Sequence, residues 1–139
     1  MNIFLDANIL VSVLNKEYPI FTCSARILSQ AGNKKFALLT SPICLAIAYY
    51  FAEKKHKSSV AKAKIKILSE HITIASNSSA AVLKCLMNPS IHDFEDGLEY
   101  YAALENGCKC IITENKSNFY FSEIEVLNCE EFCEKYLFK

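Results

Sequence analysis

Short apolar runs alternate along the chain with longer stretches in which apolar residues recur every three or four positions. The short runs predict strands and the longer stretches predict helices. The predicted strands span residues 3–6, 36–40, 72–75, 110–113 and 125–127. Strands that alternate with helices are typical of an α/β fold in which helices cover both faces of a parallel sheet.

Capping and breaking residues set the limits of the predicted helices. Pro19 opens a helix at about Ile20 that Gly32 closes. Ser41 and Pro42 begin another, because serine caps helices and proline suits their first turn. The remaining predicted helices span residues 8–15, 42–56, 59–70, 78–87, 93–106 and 129–137.

The composition fits a globular protein. The chain has 139 residues, of which 52% are hydrophobic and 22% are charged, and this length suits one domain, residues 1–139. No apolar run approaches the roughly 20 residues of a membrane span. The N-terminus lacks the basic start and apolar middle of a secretory signal. We therefore expect a cytoplasmic protein that does not enter a membrane.

Seven cysteines are many for this length, but their spacing does not indicate a zinc site. No Cys-x-x-Cys pair occurs, and the chain has three histidines. Structural zinc sites need four such ligands at short, regular spacings. Most of the cysteines lie in apolar segments, so we expect reduced core residues.

Charge is segregated along the chain, although the formal net charge is zero. Residues 1–70 carry a net charge of +6 and residues 71–139 a net charge of −6. The candidate RNA-binding residues of the basic half are Lys54, Lys55, Lys57, Lys62 and Lys66. Such a face can follow an RNA backbone, and the alternative is an ordinary solvated helical hairpin. Tyr49, Tyr50 and Phe51 precede the lysines, and their apolar neighbours predict that they lie in the core.

Three acids are the first candidates for chemistry. Asp6 stands at the end of the first predicted strand, and open α/β sheets bind ligands where a strand ends and a helix begins. Asp93 and Asp96 open a later predicted helix and share a face because they are three residues apart. The alternative for Asp6 and Asp93 is a purely structural N-cap.

Polar residues that follow the fourth predicted strand belong on the same edge of the sheet as Asp6. The candidate supporting residues are Asn8, Thr113, Asn115 and Asn118. Carboxylates from separate strand ends repel one another without a cation, and hard oxygen donors suit Mg²⁺ or Mn²⁺. A site of this kind activates water and screens the charge of a phosphodiester.

These motifs, in this order, resemble those of PIN-domain proteins, the fold of VapC-type toxin ribonucleases. The resemblance rests on residues 4–8 (FLDAN), 93–96 (DFED) with 101–107 (YAALENG), and 111–119 (IITENKSNF). A short strand at 124–127 before a final helix also fits. The resemblance implies a three-layer α/β/α fold with a central, mainly parallel sheet of about four to five strands.

The resemblance also implies an activity. PIN-domain proteins of this type are endoribonucleases that depend on Mg²⁺ or Mn²⁺, and here the chain would be the toxin of a type II toxin–antitoxin pair. Asp6 and Asp96 would hold the metal, and Asp93 would assist as a further ligand or as a base. The implied partners are an RNA substrate, a small antitoxin protein and a second copy in a homodimer.

Two acids usual in the family are absent. The helix after the second strand has no carboxylate before Glu53, and Asn118 occupies the position of the last acid. Glu95 and Glu114 are candidates to compensate for the missing charge, although the sequence does not place their carboxylates.

The two missing acids motivate an alternative function, a catalytically weak or inactive PIN-fold protein that acts by binding RNA or protein. A third possibility is an α/β binding module unrelated to nucleic acid, although the chain has no glycine-rich phosphate loop.

Overall fold

Five parallel strands form the centre of the protein. In the computed structural model, which describes residues 1–138, they pair in the order β3-β2-β1-β4-β5. The strands are β1 (Asn2–Leu5), β2 (Ala37–Thr40), β3 (Thr73–Ile74), β4 (Cys108–Ile112) and β5 (Glu125–Leu127). The last residue of the predicted domain, Lys139, lies outside the described residues.

Seven α-helices connect and cover the strands within residues 1–138. They are α1 (Ala7–Leu14), α2 (Ile20–Leu28), α3 (Pro42–Lys55), α4 (Ser58–His71), α5 (Ser79–Met87), α6 (Phe94–Glu105) and α7 (Cys129–Phe132). Helix α7 continues as a π-helical turn, Cys133–Leu137, and a 3-10 turn spans Lys116–Phe119. This architecture confirms the expected α/β/α fold with a parallel central sheet. None of these helices has both the length and the apolar character needed to cross a membrane.

The core is built around β1 because β1 lies in the middle of the sheet. Ile3, Phe4 and Leu5 are fully buried, as are Ile111 and Ile112 on the neighbouring strand β4. A strand buried on both faces needs a continuous apolar run, which explains the sequence pattern. All seven cysteines are free and six of them are buried, which agrees with the predicted reduced core residues.

Helix α3 differs from expectation in the face that it buries. Tyr50 and Phe51 were expected in the core but are 53% and 44% exposed. The buried stripe of α3 consists of Cys44, Ala48 and Ala52, which recur every four residues on one side. Small residues on that stripe let α3 approach its neighbours closely, and the aromatic side chains are left on the outer surface.

Gly97 is required by close packing between α6 and the segment before it. A Cβ atom at this position would lie 2.3 Å from Cys85 Sγ and 2.7 Å from Ile91 Cγ2. We expect Gly97→Ala to destabilise the fold by about 1–3 kcal/mol, because overpacking outweighs the better helix propensity of alanine. Chemical denaturation would measure this change. Adding Cys85→Ala should restore part of the loss, and an unchanged or higher stability of Gly97→Ala alone would contradict the prediction.

Candidate metal centre

The candidate site lies at the carboxyl ends of β1 and β4, which are neighbours in the sheet. Leu5 pairs with Ile112, so the next residues, Asp6 and Thr113, leave the sheet side by side. The backbone N–H of Asp6 donates to the carbonyl of Ile112 at 3.0 Å. Parallel sheets bind their ligands at this edge.

Three donors hold the Asp6 carboxylate, which is only 6% exposed. Oδ1 accepts a hydrogen bond from the backbone N–H of Ala7 at 2.6 Å, so Asp6 is the N-cap of α1. Oδ2 accepts from Thr113 Oγ1 at 2.7 Å and from Asn8 Nδ2 at 3.1 Å. Asp6 therefore caps a helix and also presents a fixed carboxylate at the sheet edge.

A polar network around Thr113 fixes the Asp6 side chain. Besides donating to Asp6, Thr113 Oγ1 accepts from Asn8 Nδ2 at 3.1 Å and from the backbone N–H of Asn115 at 3.0 Å. Asn8 Oδ1 accepts from the backbone N–H of Glu114 at 3.2 Å. Both side chains thus join the loop after β4 to the start of α1, and the fully buried Thr113 meets the Asp6 carboxylate through its hydroxyl.

The first turn of α6 supplies the second group of acids. Asp93 is the N-cap of α6, and its Oδ1 accepts from the backbone N–H of Asp96 at 3.1 Å. Asp93 is exposed, whereas Asp96 is 8% exposed. The N-cap interpretation of Asp93 is therefore correct as a description of its hydrogen bond, and Asp96 is the more buried of the two acids.

A cavity of about 420 Å³ brings these acids together. Its lining includes six of the seven candidate catalytic, metal-binding and supporting residues: Asp6, Asn8, Asp93, Asp96, Asn115 and Asn118. Thr113 is not part of the lining, in keeping with its position behind Asp6. The topology explains this convergence, since α6 leads directly into β4, the neighbour of β1.

The cavity concentrates negative charge without a basic partner from the described part of the chain. Burial, together with the charges of Asp93, Asp6 and Glu95, raises the pKa of Asp96 to about 7. The two ion pairs within residues 1–138 are Lys116–Glu131 and Lys135–Glu125, and neither includes a residue that lines the cavity. An arrangement of carboxylates that repel one another in this way suits a bound cation.

The two acids left open by the sequence have different positions. Glu114 Oε2 accepts from the backbone N–H of Cys129 at 2.9 Å, so its carboxylate is used at the start of α7. Glu95 lines the cavity, and its pKa is raised by burial and by the charges of Asp93 and Asp6. Glu95 therefore adds to the charge of the cavity and Glu114 does not line it.

One acid of this region escaped the sequence analysis. Glu99 lies on α6 one turn after Asp96 and is fully buried. Its Oε1 accepts a hydrogen bond from Cys44 Sγ at 3.1 Å. Burial raises its pKa to about 11, with the charge of Asp6 the next cause. Its spacing of three residues from Asp96 was the available signal, because that spacing places both side chains on one helix face.

The predicted RNA-binding lysines lie on α3, α4 and the junction between them. Lys54, Lys55, Lys57, Lys62 and Lys66 are all exposed. Lys55 Nζ donates to the backbone carbonyl of Asn15, and Lys54 Nζ lies 4.3 Å from the ring centroid of the exposed Tyr50. None of the five lines the cavity, although Phe51, next to Tyr50, does.

Comparisons with known proteins agree with this architecture. A family profile described as "PIN domain" matches residues 2–117. Ribonuclease VapC1 of Aquifex aeolicus (strain VF5) is 33% identical over 138 residues, which cover 96% of this chain and 94% of that protein.

Solved structures also show similarity in fold. A chain in the crystal structure of VapBC2 from Rickettsia felis, bound to a DNA fragment from its promoter, gives a TM-score of 0.67 at 21% identity and covers 92% of this chain and 98% of that chain. VapC20 of Mycobacterium tuberculosis, described as a toxin that cleaves the Sarcin-Ricin loop, gives a TM-score of 0.65 at 15% identity and covers 88% of this chain and 98% of that chain.

A parallel α/β/α sandwich with an acidic cavity at the carboxyl edge of its sheet defines the class of protein. The chain belongs to the PIN-domain family and, within it, is VapC-like.

Proposed function

We propose that this protein is an endoribonuclease that depends on Mg²⁺ or Mn²⁺, and that it is the toxin component of a type II toxin–antitoxin pair. The observation that carries the proposal is the convergence of Asp6 and Asp96 on one cavity without a basic partner among the described residues. The 33% identity to a protein named Ribonuclease VapC1, over nearly the whole chain, supports the same activity.

The donor set fits a hard divalent cation. Asp6 and Asp96 would hold the ion, with the amide oxygen of Asn118 as a neutral donor, because Mg²⁺ sites often use one or two carboxylates together with water and phosphate oxygens. When bound, such a cation screens the charge of the phosphodiester and activates water. Asp93, which is exposed at the cavity, would accept a proton during hydrolysis.

The activity is tested with purified protein and RNA. We expect a mixture of structured and single-stranded RNAs to yield discrete fragments with Mn²⁺ or Mg²⁺ and none with EDTA. Fragments formed equally well in EDTA would contradict metal dependence. Metal binding without cleavage of any RNA would instead favour the alternative of a binding protein, which the lack of an acid in α3 before Glu53 and the uncharged Asn118 at the position of the last acid support.

Thr113 provides a sharper test of the way in which Asp6 is held. Thr113→Val keeps the shape of this buried side chain but removes the donor to Asp6 Oδ2. We expect Mn²⁺ affinity to fall about tenfold or more, since partners of metal ligands typically contribute 10–100-fold. Isothermal titration calorimetry measures the change, and Thr73→Val, at an exposed threonine of β3, is the matched control. Equal Mn²⁺ affinity in both variants would show that the Thr113 hydroxyl is dispensable.

Partners and organisation follow from the same proposal. We propose a single domain over residues 1–139, a cytoplasmic location, a small antitoxin as partner and a homodimer. Leu83, Leu86 and Met87 of α5 are 58%, 63% and 80% exposed, and exposed apolar groups of this size are typical of surfaces that contact another protein. Light scattering of the purified chain, alone and after co-expression with the neighbouring reading frame, measures both assemblies.

A further inference from the structure

We propose that Glu99 is a third carboxylate ligand of this metal centre and acts in the place of the acid that α3 lacks. This inference rests on the proposed function, because it names a further residue of the same site. It extends that function because the sequence motifs did not include Glu99.

The first argument is an unpartnered oxygen. Glu99 is fully buried, and its Oε1 accepts from Cys44 Sγ while its Oε2 accepts from no N–H, O–H or S–H group of the described residues. A buried polar atom without a partner is costly and calls for an explanation. A cation bound by Oε2 would supply the missing partner.

The second argument is convergence. Potential ligand atoms of Asp6, Cys44 and Glu99 all lie within 4.8 Å of one another, and so do those of Glu95, Asp96 and Glu99. Glu99 is the member common to both groups. Glu99 therefore lies between Asp6, at the end of β1, and Asp96, in the first turn of α6. A ligand that completes a site with both acids is expected in this position.

The third argument concerns the side chain that Glu99 meets. Cys44 lies on α3, in the helix where the resemblance led us to expect an acid, and its sulfur contacts the Glu99 carboxylate at 3.1 Å. A longer acidic side chain at position 44 would occupy the space that the Glu99 carboxylate fills. Glu99 of α6 thus supplies a carboxylate next to α3, where α3 itself has none.

A competing explanation is that Glu99 is a neutral, buried acid that shares its proton with the Asp6 carboxylate in a hydrogen bond and has a structural role. The two explanations differ for Glu99→Gln, which keeps the shape and removes the charge. If Glu99 has only a structural role, the Glu99→Gln protein should bind Mn²⁺ as tightly as the wild type does. If Glu99 is a ligand, the variant should bind Mn²⁺ much more weakly.

The experiment measures Mn²⁺ binding by calorimetry in the wild type, Glu99→Gln and the control Glu130→Gln, whose residue is exposed on α7. We expect Glu99→Gln to bind Mn²⁺ at least tenfold more weakly and the control to bind as the wild type does. The double variant Glu99→Ala with Cys44→Glu, which frees the space at position 99 for an acid on α3, should bind Mn²⁺ more tightly than Glu99→Ala alone. Unchanged affinity in Glu99→Gln would overturn the proposal and leave the proposed function intact, whereas no Mn²⁺ binding by the wild type would overturn both.

If melting experiments without metal show that Glu99→Gln does not fold, a measurement on the wild type tests the proposal instead. Crystals grown with Mn²⁺ give an anomalous signal that locates the ion directly. A peak within bonding distance of a Glu99 carboxylate oxygen supports the proposal. A peak bound by Asp6 or Asp96 but not by Glu99 overturns it.

Discussion

Replacing Asp6 by asparagine is expected to abolish metal-dependent RNA cleavage while the fold persists. Asparagine keeps the side-chain oxygen that caps α1 at 2.6 Å from the Ala7 N–H, and asparagine is as good an N-cap as aspartate. The variant loses the negative charge at the end of β1. We expect at least about a 100-fold drop in cleavage rate, since even the partners of metal ligands contribute 10–100-fold.

The measurement is single-turnover cleavage of a fixed RNA with Mn²⁺, together with a melting curve of the metal-free protein. The matched control is Glu130→Gln, a loss of charge at an exposed residue of α7. Near-normal cleavage by Asp6→Asn would remove Asp6 from the site. A large fall in melting temperature would show that its structural role dominates.

The fold could be predicted from the sequence because strand and helix signals agree in most of the chain. The apolar run of residues 3–5 is sufficient to predict β1. The start of α3 is set by Ser41, whose side chain accepts a hydrogen bond from the backbone N–H of Cys44. Where predictions went wrong, tertiary packing decided. The predicted helix over residues 129–137 changes to a π-helical turn after Phe132.

The candidate site was partly visible in the sequence because the acids stand at element boundaries. The predicted strand ends and helix starts were sufficient to select Asp6, Asp93 and Asp96 as candidates, and all three line the cavity. Glu99 could not be assigned in the same way, since a glutamate in the middle of a helix usually faces solvent. Its full burial depends on α3 approaching α6, and the small side chain of Cys44 makes room for it.

The two missing acids therefore have different consequences. Asn118 lines the cavity and can offer a neutral oxygen, so charge is lost at that position. In α3 the proposed ligand Glu99 would compensate for the missing acid, because its carboxylate reaches from α6 to the sulfur of Cys44 on α3. With Glu99 as a ligand, the site would lack one carboxylate of the usual set, at Asn118, and not two.

The second large effect expected is a rise in Mn²⁺ affinity with pH. In the metal-free protein the pKa of Asp96 is about 7, because of burial and the charges of Asp93, Asp6 and Glu95. A cation bound by Asp96 must displace its proton, so binding releases protons and weakens as pH falls. From Asp96 alone, we expect the affinity to increase about tenfold between pH 6 and pH 8.

The stability of the metal-free protein should change in the opposite direction. Asp96 has a folded pKa above its ordinary value of 3.8, so between that value and about 7 the folded state holds a proton that the unfolded chain has released. The free energy of unfolding from this group therefore falls as pH rises through that window. Asp96→Asn, which cannot titrate, should flatten this dependence and bind Mn²⁺ weakly at every pH. Calorimetry measures the Mn²⁺ affinity and melting curves measure the stability, each at pH 5, 6, 7 and 8. A constant Mn²⁺ affinity of the wild type from pH 6 to pH 8 would exclude Asp96 as a ligand that exchanges a proton for the metal.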